Sequence, residues 1–248
     1  MPYPFAHPAA IVPLAGPMGR FAVPSALAIG SMVPDAWYFV PLLAREDSHS
    51  AGGLLWFCVP AGLLAYLAFH LLLKQPLLAL LPDRLAAKLA QFASPRLPKA
   101  AWRAVALSLL VGACTHLAWD ALAHTSRVLQ HGSTLLGTLF LVWWIWRRLP
   151  SAPLRPLPRG LLLSPGVRHG ILGMVIAPAI AWAAWVAGGD LMSLTRDAAG
   201  LRELLRSAGV AGMQALGAGL LAYAVLVTAL NRKRPRDTGP APRSPGGR

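Results

Sequence analysis

Apolar positions in this chain gather into long runs separated by short basic or Pro-rich segments. Five runs stand out: residues 51–73, "AGGLLWFCVPAGLLAYLAFHLLL"; 101–124; 133–146, "STLLGTLFLVWWIW"; 170–187; and 208–230. Most approach the roughly 20 residues that a helix needs to cross a bilayer. The pattern predicts five transmembrane helices, the third of them short. Pro60 lies inside the first run and predicts a kink there. Residues 76–92 contain "LPDRLAAKLAQF", which predicts an amphipathic helix lying in the interface. Upstream, "VPSALAIGSM" and "AWYFVPLLA" predict two helices too short to span. Residues 21–44 are expected to form a broken or re-entrant pair, a backbone tolerated only against protein or a wet cavity. The fold class is therefore all-α: a polytopic membrane helix bundle of about five transmembrane helices plus short N-terminal helices. One membrane-embedded domain is expected over 1–230 and a disordered basic tail over 231–248. No internal repeat is visible.

Composition agrees. Hydrophobic residues make up 56% and charged residues 13%. The net charge of +14 does not change the class. The basic residues lie between the apolar runs and in the tail, with no aromatic-interleaved groove, so nucleic acid is not the expected partner. The lipid bilayer is, with the tail suited to anionic headgroups. Cys58 and Cys114 both lie in apolar runs without a CxxC partner, which predicts packing and no redox motif. The N-terminal "MPYPFAHPAAIVPLAG" lacks a basic n-region, so no secretory signal peptide is expected.

Charge also orients the chain. Arg84, Lys88, Lys99 and Arg103 follow the first span, Arg147, Arg148 and Arg155 follow the third, and the tail carries Arg232 to Arg248. With five spans these segments share one side, which the positive-inside rule makes cytoplasmic. The expected location is the inner (plasma) membrane, multi-pass, with the tail in the cytoplasm. The opposite side then collects the unusual polar residues. His116, Asp120 and His124 stand at i, i+4 and i+8 on the second span. Each step of four drifts only about 40°, so they share a stripe about 12 Å long. His49 opens the first span, His131 the third, and His7 and Asp35 lie in the N-terminal region. An ionisable residue within a span needs a partner, and imidazole with carboxylate is a normal ligand set for zinc and similar ions. A lone histidine near a helix end is more often simply hydrogen-bonded, and His70 and His169 fit that description. The residues alone leave two readings open for the cluster: a divalent metal, or a buried His–Asp hydrogen-bond network such as a proton relay. Asp35 after Pro34 also has a plain alternative, as a helix cap.

The segments "PFAHPAAIVPL", "PSALAIGSMVPDAWYF", "DSHSAGGLLWFCVPAGLLAYLAFHLLLKQPLLALLP" and "THLAWDALAHT…HG" resemble, in that order, a family of bacterial membrane proteins known as domain of unknown function 4184. The order His, Pro-Asp, His, HxxxD, His is also similar, more loosely, to the zinc-dependent phospholipase C and nuclease superfamily and to membrane-bound metal-dependent hydrolases. That resemblance implies a metal, zinc in the first instance, on Asp35, His49, His116 and Asp120. It implies a further set from His124 and His131 with His7. The chain departs from the superfamily in having His124 one helical step after Asp120, and Leu135 where a carboxylate usually follows the last histidine.

The function expected is a membrane-embedded metal-dependent hydrolase acting on a lipid or phosphoester near the extracytoplasmic face. Asp35 or Asp120 would take a proton from water. The alternatives are a transporter or proton-relay protein, and a non-enzymatic scaffold with a structural His/Asp cluster. No GxSxG or P-loop is present to support serine-hydrolase or nucleotide-driven chemistry.

Overall fold

The computed structural model describes residues 4–39, 45–94, 97, 99–158, 161–193 and 198–233. Residues 40–44 of the expected re-entrant pair and 234–248 of the expected tail lie outside the described residues. The described residues form helices and turns with no strand among them. Two short helices come first, α1 (Pro8–Met18) and α2 (Pro24–Gly30), each with proline at its start, where the missing N–H costs nothing. A 3-10 segment, Val33–Tyr38, follows, and then a single turn, Arg45–Ser48. The long helices are α3 (Ala51–Ala79), α5 (Trp102–Ala123), α6 (Arg127–Arg148), α7 (Pro165–Ser193) and α8 (Ala198–Lys233). Between α3 and α5 lies the short α4 (Asp83–Leu89). All five long helices are long and apolar enough to cross a membrane, which makes this a multi-pass membrane protein.

Several boundaries differ from the apolar pattern, each for a local reason. The third span begins at Arg127, about two turns earlier than hydropathy predicts. Ser126 caps it, its hydroxyl accepting from Leu129 N at 3.1 Å. His131 thus sits inside the helix. The loop expected over 188–207 is mostly absorbed into α7 and α8, which reach Ser193 and resume at Ala198. The segment expected to lie in the interface is divided: Pro76 to Ala79 complete α3, and only α4 stands apart. Two π-helical turns widen α3, at Leu54–Cys58 and Phe69–Leu73. Each overlaps the stretch whose carbonyls lose a donor to Pro60 or Pro76, the physical origin of the kink expected at the first of these prolines.

The helices alternate in direction, so the α4 region and the segments before α7 meet at one end. Lys88 Nζ donates to Leu149 O at 2.8 Å, and Arg155 N donates to Ala87 O at 3.0 Å. Arg168 pairs with Asp83. Apolar side chains Leu78, Ala79, Ala93 and Leu161 close this end beneath them. Arg147 and Arg148 lie over the rings of Trp143 and Trp144, as at a membrane interface.

The N-terminal segment is the unusual part. It is laid along α5, from Ser108 to His116, a rise of about 12 Å. Gly30 on α2 meets α5 at Leu109, and Gly112 on α5 meets Leu27 and Ser31, so the two backbones nearly touch. Small residues permit this approach in membrane interiors. The extended backbone before α2 needs partners there, and Ser108 supplies them. Its hydroxyl accepts from Val23 N at 3.0 Å and donates to Phe21 O at 2.9 Å. Ser108→Ala leaves both backbone groups unpaired, so a loss of about 1–3 kcal/mol in unfolding free energy is expected in detergent. Unchanged unfolding would show that this anchor carries little.

Candidate metal centre

The cluster forms at the end of the bundle opposite Lys88 and Arg155, where α3 begins and α5 ends. His116 and Asp120 stand one turn apart on the buried face of α5, at 0% and 4% exposure. Asp35 comes from the 3-10 segment, His49 from just before α3, and His7 from just before α1. Asp35 and His7 are buried and His49 nearly so. The 3-10 backbone continues through Asp35, whose Oδ1 caps nothing.

Orientation of the rings is fixed from behind. His116 Nδ1 donates to Ser31 O at 2.9 Å. His49 Nδ1 faces Arg45 O at 3.2 Å and Ser48 Oγ at 2.9 Å. With those nitrogens engaged as donors, each ring turns a bare Nε2 into the cluster, the arrangement that metal-ligating histidines use. His7 stacks on His116 with centroids 3.8 Å apart and lies edge-on to Trp119 at 5.8 Å.

The distances bear on the two readings left open by the sequence. His7 Nε2 lies 3.7 Å from Asp120 Oδ1. His49 Nε2 lies 3.8 Å from Asp35 Oδ1 and 3.6 Å from Asp120 Oδ2. His116 Nε2 lies 3.7 Å and 3.8 Å from the same two oxygens. Every one exceeds hydrogen-bond length. Two ligands about 2.05 Å from a tetrahedral ion lie about 3.3 Å apart, so contraction by a few tenths of an ångström would suit metal. His7, His49 and His116 Nε2, with Asp35 and Asp120 Oδ1, are buried and lack a hydrogen-bond partner. Buried polar atoms are rarely left so, and here five of them converge. Ligand atoms of His7, His116 and Asp120 lie within 4.8 Å of one another, as do those of Asp35, His49 and His116, so His116 belongs to both groups. The donor set fits a divalent ion of the zinc type.

His124 and His131 join neither group. His124 caps the end of α5 just past Ala123, is exposed, and turns Nδ1 back to Asp120 O at 2.7 Å. His131 is exposed on α6. His70 links α3 to Ser25 Oγ at 3.0 Å, away from the cluster, and His169 is exposed on α7. One residue that sequence reasoning missed enters instead. Arg45 Nη2 donates to Asp120 Oδ2 at 3.2 Å. A signal existed, since Arg45 is one of only two basic residues before Lys74 and stands four residues from His49.

Burial, and secondarily the Asp120 carboxylate, push the Asp35 carboxyl up to about 7. Burial holds the His7 imidazole down at about 4 despite Asp120. Metal-free, the folded chain therefore keeps the Asp35 proton from its unfolded value near 3.8 up to about 7. Unfolding releases it, so stability falls as pH rises through that window and levels off above it. Asp35→Asn escapes the loss. In metal-stripped protein the variant is expected to match the parent near pH 4 and to exceed it at pH 8 by a few kcal/mol, on the order of the shift itself. The His7 contribution is lost as pH falls below about 6.5 and is common to both proteins. Thermal unfolding at both pH values checks this, and a constant difference would show that Asp35 is not buried as described.

A family model described as domain of unknown function (DUF4184) matches residues 1–128. That range contains His7, Asp35, Arg45, His49, His116 and Asp120, and it ends two residues into α6. No curated protein and no solved structure matches.

Proposed function

This chain belongs to the DUF4184 family, and on that premise we propose that it is a membrane-embedded, metal-dependent hydrolase of a lipid or other phosphoester. The observation that carries the proposal is the convergence of buried, unpartnered imidazole nitrogens and carboxylate oxygens on one small volume. Asp35, His49, His116 and Asp120 would hold a divalent ion, zinc in the first instance, with His7 beside them. Such an ion supplies a Lewis acid and makes water a better nucleophile at neutral pH. The chain's own residues do the rest. Asp35 or Asp120 is placed to take a proton from water and return it to a leaving oxygen. Ser31 and Arg45 carbonyls keep the rings in register. A hydrogen-bonded proton relay is supported less, because no Nε2–carboxylate gap in the cluster is short enough to pass a proton directly.

An apolar cavity of about 370 Å³ favours a lipid. It lies between α1, α5 and α6, lined by Ala10, Trp119, Leu122 and Leu129, with Thr115 and Ser133. The two hydroxyls donate to their own helices, to Gly112 O and Gln130 O, so the wall offers little to a polar guest. Trp119 is shared with the histidine cluster. The basic residues at the far end support a cytoplasmic C-terminus in the plasma membrane and an outward-facing site.

Metal analysis of purified protein tests the reading. About one divalent equivalent per chain is expected, with hydrolysis of a short-chain phospholipid lost to chelator and restored by zinc. Protein without stoichiometric metal would sink it.

A further inference from the structure

Arg45 is only partly used by its carboxylate partner. A guanidinium carries five N–H donors in a planar fork that suits two oxygens at once. Here one nitrogen, Nη2, reaches one oxygen of Asp120 at 3.2 Å. Nε is buried and has no acceptor among the described residues. A charged donor in that position calls for an oxygen, and the described residues provide none. Other parts of the side chain are open, one-third of it being exposed overall, so an oxygen can reach the guanidinium from outside. Glu46 and Asp47, on the same turn, are exposed, and neither pairs with Arg45 within 4 Å.

The charges point the same way. Asp35 and Asp120 together would neutralise a divalent ion, which would leave Arg45 without a carboxylate of its own in the cluster. When a metal engages Asp120, its hold on Arg45 weakens and the fork is freed further.

We propose that Arg45 is the anion-binding side chain of this site, taking a phosphoryl oxygen of the substrate on its guanidinium beside the His/Asp cluster. This deepens the hydrolase reading and rests on it for the metal alone. The partner is a phosphate group, carried either by a lipid headgroup or by a soluble compound. Planar pairing of guanidinium with phosphate is favoured over a lysine point charge.

The test is calorimetric titration of zinc-loaded, full-length protein in uncharged detergent. Inorganic phosphate is one ligand and short-chain phosphatidic acid the other, against wild type, Arg45→Gln and Arg45→Lys. Metal content and thermal unfolding are measured on every sample. The expected result is binding of at least one ligand to wild type, weakened about tenfold or more in Arg45→Gln and by less in Arg45→Lys. Much tighter binding of phosphatidic acid than of phosphate, equally sensitive to Arg45→Gln, identifies a lipid headgroup. Equal affinities identify a free phosphate. Either supports the role of Arg45. Wild-type affinity in a folded, metal-loaded Arg45→Gln overturns it, and so does the absence of binding to wild type. If Arg45→Gln does not fold, Arg45→Lys decides, and unchanged affinity there overturns the proposal. Protein that takes up no zinc but binds phosphate through Arg45 defeats the hydrolase reading and leaves the anion site standing.

Discussion

Replacing His116 with alanine is expected to abolish metal binding and hydrolysis together. It is the residue common to both ligand groups, and its Nε2 faces the carboxylates of Asp35 and Asp120, so its loss breaks each group. The ring also anchors His7 by stacking and is tied through Nδ1 to Ser31 O. Truncation therefore leaves that buried carbonyl unpaired and His7 unsupported as well. Loss of an outer-shell partner alone typically costs about 10–100-fold in metal affinity, so the loss of the shared ligand is expected to exceed about 100-fold. Because His116→Ala also opens a cavity, Asp120→Asn is the companion variant. It keeps the shape of the side chain, removes the charge, and strips Arg45 of its ion partner. Both variants are to be read by metal content after dialysis against a weak chelator. Full metal retention in His116→Ala would remove the shared-ligand assignment, however little activity remained.

The second large effect is expected far from any ligand. Gly112→Ala should destabilise the fold by about 3 kcal/mol, at the upper end for overpacking, and release metal with it. A Cβ at Gly112 would meet Leu27 O, would lie 2.7 Å from Ser31 N and would lie 3.0 Å from Gly30 C. At Gly30 it would meet Leu109 O and would lie 2.8 Å from Leu109 Cα. These neighbours are backbone and cannot rotate aside, so α2 must lift from α5. Ser31, whose carbonyl orients His116, lifts with it. Gly132→Ala is the control: nothing lies within 4 Å of a Cβ there, and a mid-helix glycine replaced by alanine gains about 0.5–1 kcal/mol. Chemical unfolding of the three proteins in detergent checks the contrast. Equal stabilities would mean that α2 does not sit against α5 as described.

The long apolar runs and the HxxxD step were legible because helix periodicity and bilayer thickness are local rules. Asp120 within a span had to find partners, and His116 at i−4 was the first of them. The stripe argument overreached at His124. It assumed continuing helix, whereas the helix ends there and the ring folds back on its own backbone. His131 failed for a related reason. The early start of α6 was hidden, since Arg127, Gln130 and His131 lower hydropathy while Ser126 still caps a helix. Arg45 was passed over, because its place four residues before His49 does not show that its guanidinium turns inward. The pairing of Gly30 with Gly112 was invisible for a deeper reason. Each is an ordinary small residue in an apolar stretch, and only the fold brings them together.

The placement of the N-terminal segment along α5 has a consequence for the order of synthesis. Ser31 and His116 are separated by 85 residues. At roughly 5–20 residues per second, the ribosome needs roughly 4–17 s to cross that interval. Until α5 is made, Asp35 lacks His116 and the backbone around Val23 lacks Ser108, and a bilayer interior would reject them. The first segment of the chain is thus expected to wait at the membrane surface and enter late, once α5 has arrived. The cluster then closes from residues already made, while α7 and α8 are still to come.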